Sequence, residues 1–218
     1  MTMAASTPMR TKRTVAVVSA GLSQPSSTRL LADRLVQATE RHLVERGFEV
    51  EIVTVELREI AKDVTNNLLT GFPSPSLSTV IEQVTGADAL IAVTPTFTTS
   101  YSGLFKSFMD ILDPSSLVEM PVLIGATGGS PRHSLVLDYA MRPLFTYLHA
   151  LVAPTGVYAA SEDWGSNPDD VKPLPERIDR AGAEFAAFVE RSDRAGRLVD
   201  PFAIPVSDGA GVGGFQAQ

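Results

Sequence analysis

Apolar positions along this chain fall into two alternating rhythms. Val15-Ala16-Val17-Val18, Ala89-Leu90-Ile91-Ala92-Val93 and Val122-Leu123-Ile124-Gly125 are continuous runs, the pattern of strands buried on both faces. Longer stretches between them carry helical spacing. The alternation predicts strands over 14–19, 49–55, 89–94, 122–126 and 156–160, and helices over 29–46, 79–85, 103–112, 133–150 and 175–191. Such an order of elements means a parallel sheet of five strands with helices on both faces. The second strand, Glu49 to Val55, alternates polar and apolar residues instead, which places it at an edge. The stripe Leu137, Met141, Leu144, Phe145 and Leu148 reads as core or subunit interface, with Pro143 kinking its helix. Residues 58–78, with Asn66-Asn67, Gly71 and alternating proline and serine, read as the longest loop.

Composition narrows the function. The 218 residues, 44% hydrophobic and 20% charged, suit one globular domain. Residues 13–195 form it, with a polar tail at 1–12 and a Gly/Pro-rich tail at 196–218. A formal charge of −7 without a basic stripe speaks against nucleic acid as a partner. There is no cysteine, and the three histidines lack ligand spacing, so no metal site is expected and redox chemistry has to come from a bound cofactor. No stretch reaches the roughly 18 consecutive apolar residues of a membrane span, and the first residues lack a signal-peptide core, so a cytoplasmic protein is expected.

In an open parallel sheet the ligand lies beyond the carboxyl ends of the strands, so the loops after the first, third and fourth strands should share one site. The first of them, Ser19 to Thr28, brings five hydroxyl residues to a helix N-terminus, where free N–H groups and the helix dipole favour an anion. Ordinary turn and N-cap duty is the other reading of those residues. Neither Gly-Lys-Ser/Thr for a triphosphate nor Gly-x-Gly-x-x-Gly for a dinucleotide is present, so the ATP and Rossmann readings lose their main support, and as an anion site the loop suits a phosphate monoester. The second loop runs Thr94-Pro95-Thr96-Phe97-Thr98 and on through Ser102-Gly103-Leu104-Phe105-Lys106 to Asp110; the third is Thr127-Gly128-Gly129-Ser130-Pro131-Arg132-His133.

Together the three loops resemble the NAD(P)H-dependent FMN reductase family. The resemblance implies an α/β, flavodoxin-like three-layer sandwich whose five-stranded parallel sheet has the order 2-1-3-4-5. It also implies phosphate contacts at Ser19, Ser26, Ser27 and Thr28, ring contacts at Pro95, Thr96, Phe97 and Thr98, and pyrimidine contacts at Thr127, Gly128, Gly129 and Ser130. FMN and NADPH or NADH are the implied cofactors, in a homodimer or homotetramer. Gly-Gly-Ser-x-x-His (128–133) and Asp-Tyr-Ala-x-Arg-Pro-Leu (138–144) are most similar to reductases that supply a separate flavin-dependent monooxygenase. Many relatives carry Arg or Lys early in the first loop, where this chain has Ser23 and Gln24. Hydroxyls, backbone N–H groups and Arg29 would then hold the phosphate, more loosely than a charge-assisted grip.

Hydride transfer from nicotinamide to flavin needs two stacked rings and little water, so no catalytic side chain is assigned. Phe97 is a ring platform or a core aromatic, and Lys106 with Asp110 a surface pair. Arg132 and His133 are candidates for the nicotinamide nucleotide or plain surface residues, and Asp163 with Trp164 either covers the flavin edge or is a loop. A quinone or azo-dye reductase on the same scaffold is the main alternative, followed by a flavodoxin-type electron carrier. A phospho-receiver would need acidic residues where Ser19, Ala20 and Gly21 stand.

Overall fold

A computed structural model describes residues 11–165, 173–192 and 194. Its central sheet is built from β1 (Lys12–Ser19), β2 (Glu49–Glu56), β3 (Ala89–Phe97), β5 (Pro121–Gly128) and β7 (Val157–Ala160), with β4 (Ser100–Tyr101) and β6 (Leu151–Val152) as two-residue pieces. The long strands pair in parallel in the order β2-β1-β3-β5-β7, the flavodoxin-like order expected. β6 and β7 both pair with β5, at Pro121–Val122 and at Gly125–Gly128 respectively. They are two parts of one fifth strand, interrupted at Pro154, which has no N–H to give the ladder. β4 folds back antiparallel on the end of β3.

Alternate residues of each central strand feed opposite cores, which is why the strands read as continuous apolar runs. Val15, Val17, Ile91, Val93 and Leu123 pack beneath α1 (Ser27–Glu45) and α6 (Leu174–Arg191). Ala16, Val18, Leu90, Ala92, Val122 and Ile124 face the other layer, where Phe105, Phe108 and Phe145 are fully buried on α4 (Gly103–Asp110) and α5 (Arg142–Tyr147). β2 alternates in burial and forms the edge. Opposite the carboxyl ends, the buried Arg194 guanidinium donates to the carbonyls of Thr85, Ala87, Ser116 and Val118 and staples two loops together.

Three expectations change. The segment 58–78 is no loop: it contains α2 (Ala61–Thr70) and the start of α3 (Pro75–Thr85). The residues that looked like loop punctuation are caps, with Gly71 closing α2 at φ 78° and Ser74 accepting from Leu77 N before Pro75 at the first helical position. The helix expected over 133–150 is broken into a 3-10 turn at Pro131–His133, a π-turn at Leu137–Met141 and α5. Pro143 offers no N–H, and Arg142 N bonds back to the Leu137 carbonyl to make the wide turn. The stripe of that helix is core: Leu137, Met141, Phe145 and Leu148 are buried. Finally, Lys12 belongs to β1 rather than to the N-terminal tail; residues 1–10 of that tail, and the whole of 196–218, lie outside the described residues.

Among the described residues no helix is long and apolar enough to cross a membrane, and no group of three potential ligands is placed to hold a metal ion.

Candidate functional site

At the end of β1 the chain turns tightly before entering α1. A Cβ on Gly21 would stand 2.0 Å from Ser26 Oγ, so only glycine lets the loop fold over its own helix entrance. Ser26 is the N-cap, its Oγ accepting from Arg29 N at 3.2 Å. That duty leaves the N–H groups of Ser27 and Thr28 without intrahelical partners, as at any helix start, and no acidic residue stands in the first turn. Thr28 is buried and shares a 2.9 Å hydrogen bond with Thr127 at the end of β5. Arg29 turns away from the loop: its guanidinium pairs with Asp33 at 2.7 Å and with Glu56.

The end of β3 is shaped by a hairpin. Thr96 faces Tyr101 and Phe97 faces Ser100, with Thr98 and Thr99 as the two turn residues at φ 48° and 69°. Left-handed conformation at both positions is what a tight hairpin demands, but it normally falls to Asn-Gly. Branched threonines there store strain, of order 1–3 kcal/mol each. The turn directs Thr98 outward at the exposed tip and leaves Phe97, 46% exposed, at the rim. Below it Thr94 is buried, accepting from Ser102 N at 3.0 Å, and Ser102 caps α4.

The end of β5 is held by Tyr158 of β7. Its phenol donates to the Ser130 carbonyl at 2.9 Å, and burial pushes its pKa above the ordinary value. A Cβ on Gly128 would meet that phenolic oxygen at 2.1 Å, whereas one on Gly129 would meet nothing within 4 Å. Ser130 Oγ accepts from Arg132 N at 3.3 Å, so the side chain serves the following turn. After β7, a 3-10 turn at Ser161–Trp164 folds back over the strand ends. Asp163 fixes it by accepting from Ala160 N at 2.7 Å and pairing with Arg177, which also donates to the Tyr158 carbonyl at 2.6 Å.

These segments enclose a cleft of about 610 Å³, within the roughly 300–1,000 Å³ of small-molecule pockets. Of the residues expected at the site, Ser27, Thr28, Pro95, Thr96, Phe97, Thr127, Gly128 and Gly129 line it. Ser19, Ser26, Thr98 and Ser130 stand behind or beside its walls: Ser19 is buried at the end of β1, Ser26 and Ser130 cap turns, and Thr98 is at the hairpin tip. The cleft also takes in Leu22, Ser23, Ser161 and Trp164. Ser23 lies within the hydroxyl-rich loop, and Trp164 is one of two residues that read as either a cover over the site or a plain loop; the structure brings it into the lining, whereas Leu22 and Ser161 carry no signal of their own. Arg132, His133 and the Lys106–Asp110 pair are outside the lining and on the surface.

Known proteins show which family the chain belongs to. The family model described as NADPH-dependent FMN reductase matches residues 13–165. An FMN reductase (NADPH) of Pseudomonas aeruginosa is 36% identical over 173 residues, which cover 79% of this chain and 90% of that protein. The chain belongs to the NADPH-dependent FMN reductase family. The NADH-dependent FMN reductase SfnF of Pseudomonas fluorescens is also 36% identical, over 79% of this chain and 89% of its own length. An oxidoreductase from Corynebacterium diphtheriae, solved by X-ray crystallography, superposes with a TM-score of 0.78 at 45% identity, covering 82% of this chain and 97% of that one.

An NAD(P)H-dependent FMN oxidoreductase must accept a phosphate monoester and a flat heteroaromatic ring, and the walls of this cleft fit both. A helix N-terminus without first-turn acids meets the first need. For the second, Gly129 leaves its side of the cleft open, and Thr96 stands in the cleft wall within reach of the Tyr158 phenol. Among the described residues no charged side chain lines the cleft.

Proposed function

We propose that this FMN reductase binds FMN as an exchangeable substrate and releases the reduced flavin to a separate flavin-dependent monooxygenase. The phosphate lies over the first turn of α1, accepting from the Ser27 and Thr28 hydroxyls and from the N–H groups beside them. Pro95, Thr96 and Phe97 line one side of the ring, and Thr127, Gly128 and Gly129 let backbone N–H groups approach its pyrimidine end. Ser19, Ser26 and Ser130 act behind this surface by fixing the loops, and Thr98 holds the hairpin that presents Phe97.

Bound FMN supplies the ring that accepts hydride from NADPH or NADH. The chain's own work is to orient and to dry. Phe97 at the rim shields one side of the cleft from water, and the buried Thr94–Ser102 bond keeps the hairpin beneath it rigid. Thr96, in the cleft wall beside the Tyr158 phenol, offers the ring a hydroxyl.

The observation that carries the exchange reading is that no charged side chain stands among the described residues that line the cleft. Charge-assisted bonds are about twice as strong as neutral ones, and Arg29, in the first turn after the loop, is spent on Asp33 and Glu56. The motifs at 128–133 and 138–144 support a monooxygenase partner, and a cytoplasmic setting, where NAD(P)H is supplied, belongs to the same reading. Leu135, Tyr139 and Tyr147 project from the π-turn and its flanks, Tyr139 being 79% exposed, and they support a homodimer or homotetramer joined through this face. Equilibrium dialysis tests the exchange: FMN should leave the protein, and turnover should rise and saturate with added FMN. Flavin retained through dialysis, with quinone reduction needing no added FMN, would favour a prosthetic-flavin quinone or azo-dye reductase.

A further inference from the structure

Trp164 is the single tryptophan of the chain, and it stands in the wall of the cleft. Its place is fixed from several sides. The turn that carries it is clipped by Asp163 to Ala160 N and to Arg177, and its ring packs against the apolar layer beneath α1 and α6. The Arg34 guanidinium stacks on it, 5.1 Å from the ring centroid. Arg34 lies seven residues after Ser27, so the two share one face of α1 about 10 Å apart along the axis. An indole resting on Arg34 while lining the same cleft as Ser27 therefore stands along the flank of the first turns of α1, where the phosphate is placed.

We infer that Trp164, backed by Arg34 and joined by Ser161, is the specificity wall at the phosphate end of the cleft, selecting the flavin monophosphate over riboflavin and FAD. This rests on the reading of the cleft as the FMN site. The chemistry follows from what stands there. With no cation among the described lining residues, neutral donors have to distinguish a phosphate from the bare hydroxyl of riboflavin, and the Ser161 hydroxyl and the indole N–H are two that α1 does not provide. In FAD the same phosphate continues into an adenylate, which needs an exit past the first turn of α1. The indole, pinned between Arg34 and the core, occupies that flank. Arg34 makes no direct phosphate contact in this arrangement and is a positioning residue.

The test is a comparison of three flavins. FMN, riboflavin and FAD are titrated by flavin fluorescence and calorimetry against the wild type, Trp164→Phe, Trp164→Ala, Ser161→Ala and Arg34→Met, with thermal unfolding recorded for each. The wild type should prefer FMN, and FMN should quench Trp164 emission. Trp164→Ala should weaken FMN by about tenfold or more, leave riboflavin within about twofold and tighten FAD. Trp164→Phe keeps the ring and loses the N–H, so it should narrow the preference over riboflavin while still rejecting FAD; Ser161→Ala should do the same. Arg34→Met, which frees the indole, should relax the rejection of FAD. If every flavin weakens by the same factor in the tryptophan variants, or none changes, the inference is wrong. A different result marks failure of the underlying site: wild-type Trp164 emission untouched by FMN, together with unchanged FMN affinity in Ser27→Ala.

Discussion

Thr28 Oγ1 and Thr127 Oγ1 meet at 2.9 Å in a buried hydrogen bond that ties the first turn of α1 to the end of β5. It is the direct link between the loop assigned to the phosphate and the loop assigned to the pyrimidine end. Replacing either residue by valine leaves the other hydroxyl buried and unpaired, at a cost of about 1–3 kcal/mol. The double variant should cost less than the sum of the single ones, and a urea-unfolding double-mutant cycle measures the difference. Strict additivity would mean that the two hydroxyls do not depend on each other.

Neighbouring serines should separate into structural and binding roles. Ser26 caps α1 and stands off the cleft lining, whereas Ser27 lines it without a capping bond. Ser26→Ala should lower unfolding free energy by about 1 kcal/mol. Ser27→Ala should leave stability almost unchanged and weaken FMN binding by about 1.5–3 kcal/mol, the loss of a hydrogen bond to a charged group. Thermal unfolding and fluorescence titration of the pair check both halves.

The two glycines at the end of β5 should also differ. A side chain on Gly128 collides with the Tyr158 phenol, while one on Gly129 meets nothing in the protein. Gly128→Ala should therefore displace Tyr158 from the Ser130 carbonyl and reduce thermal stability by on the order of 1–3 kcal/mol. Gly129→Val should unfold like the wild type and lose FMN affinity and NADPH:FMN activity, because its side chain enters the cleft. Full activity in Gly129→Val would remove that loop from the flavin.

Tyr158 gives the loop an alkaline limit. Burial raises its pKa above 10.0, so the folded protein favours the protonated phenol more than the unfolded chain does. The stabilisation is complete below the unfolded value and is lost as pH rises through the folded one. A phenolate also cannot donate to the Ser130 carbonyl. Stability of the wild type should fall relative to Tyr158→Phe as pH rises above about 10, and the difference between their unfolding free energies should be flat near neutrality. A difference independent of pH across that range would show that the phenol titrates alike in both states.

Much of this arrangement was written in local pattern. Runs such as Val15 to Val18 and Ala89 to Val93 announce doubly buried strands because each residue has a helix layer to face, and the polar alternation of Glu49 to Val55 announces the edge. The three loops could be joined into one site because strand ends of a parallel sheet share a side. What stayed hidden depends on partners distant in sequence. Asn66, Asn67, Gly71 and Pro75 look like loop residues until α2 and α3 show them to be helix interior and caps. The split of the fifth strand at Pro154 and the π-turn before Pro143 arise where a missing N–H meets a neighbour that sequence alone does not locate. Trp164 enters the cleft only because Asp163, Arg177 and Arg34 hold its turn there.

In the proposed cycle FMN comes and goes as a substrate, in a cleft with no charged side chain among its described lining residues. Protein loaded with FMN, passed rapidly through a desalting column and then assayed for NADPH oxidation with and without added FMN, tests it most directly. A nearly colourless protein is expected, with roughly micromolar FMN affinity and activity that returns only on adding FMN, and Ser23→Arg should retain more flavin through the column by adding a charge-assisted phosphate contact. A yellow protein with one tightly held FMN and full NADPH oxidation without added flavin would contradict it.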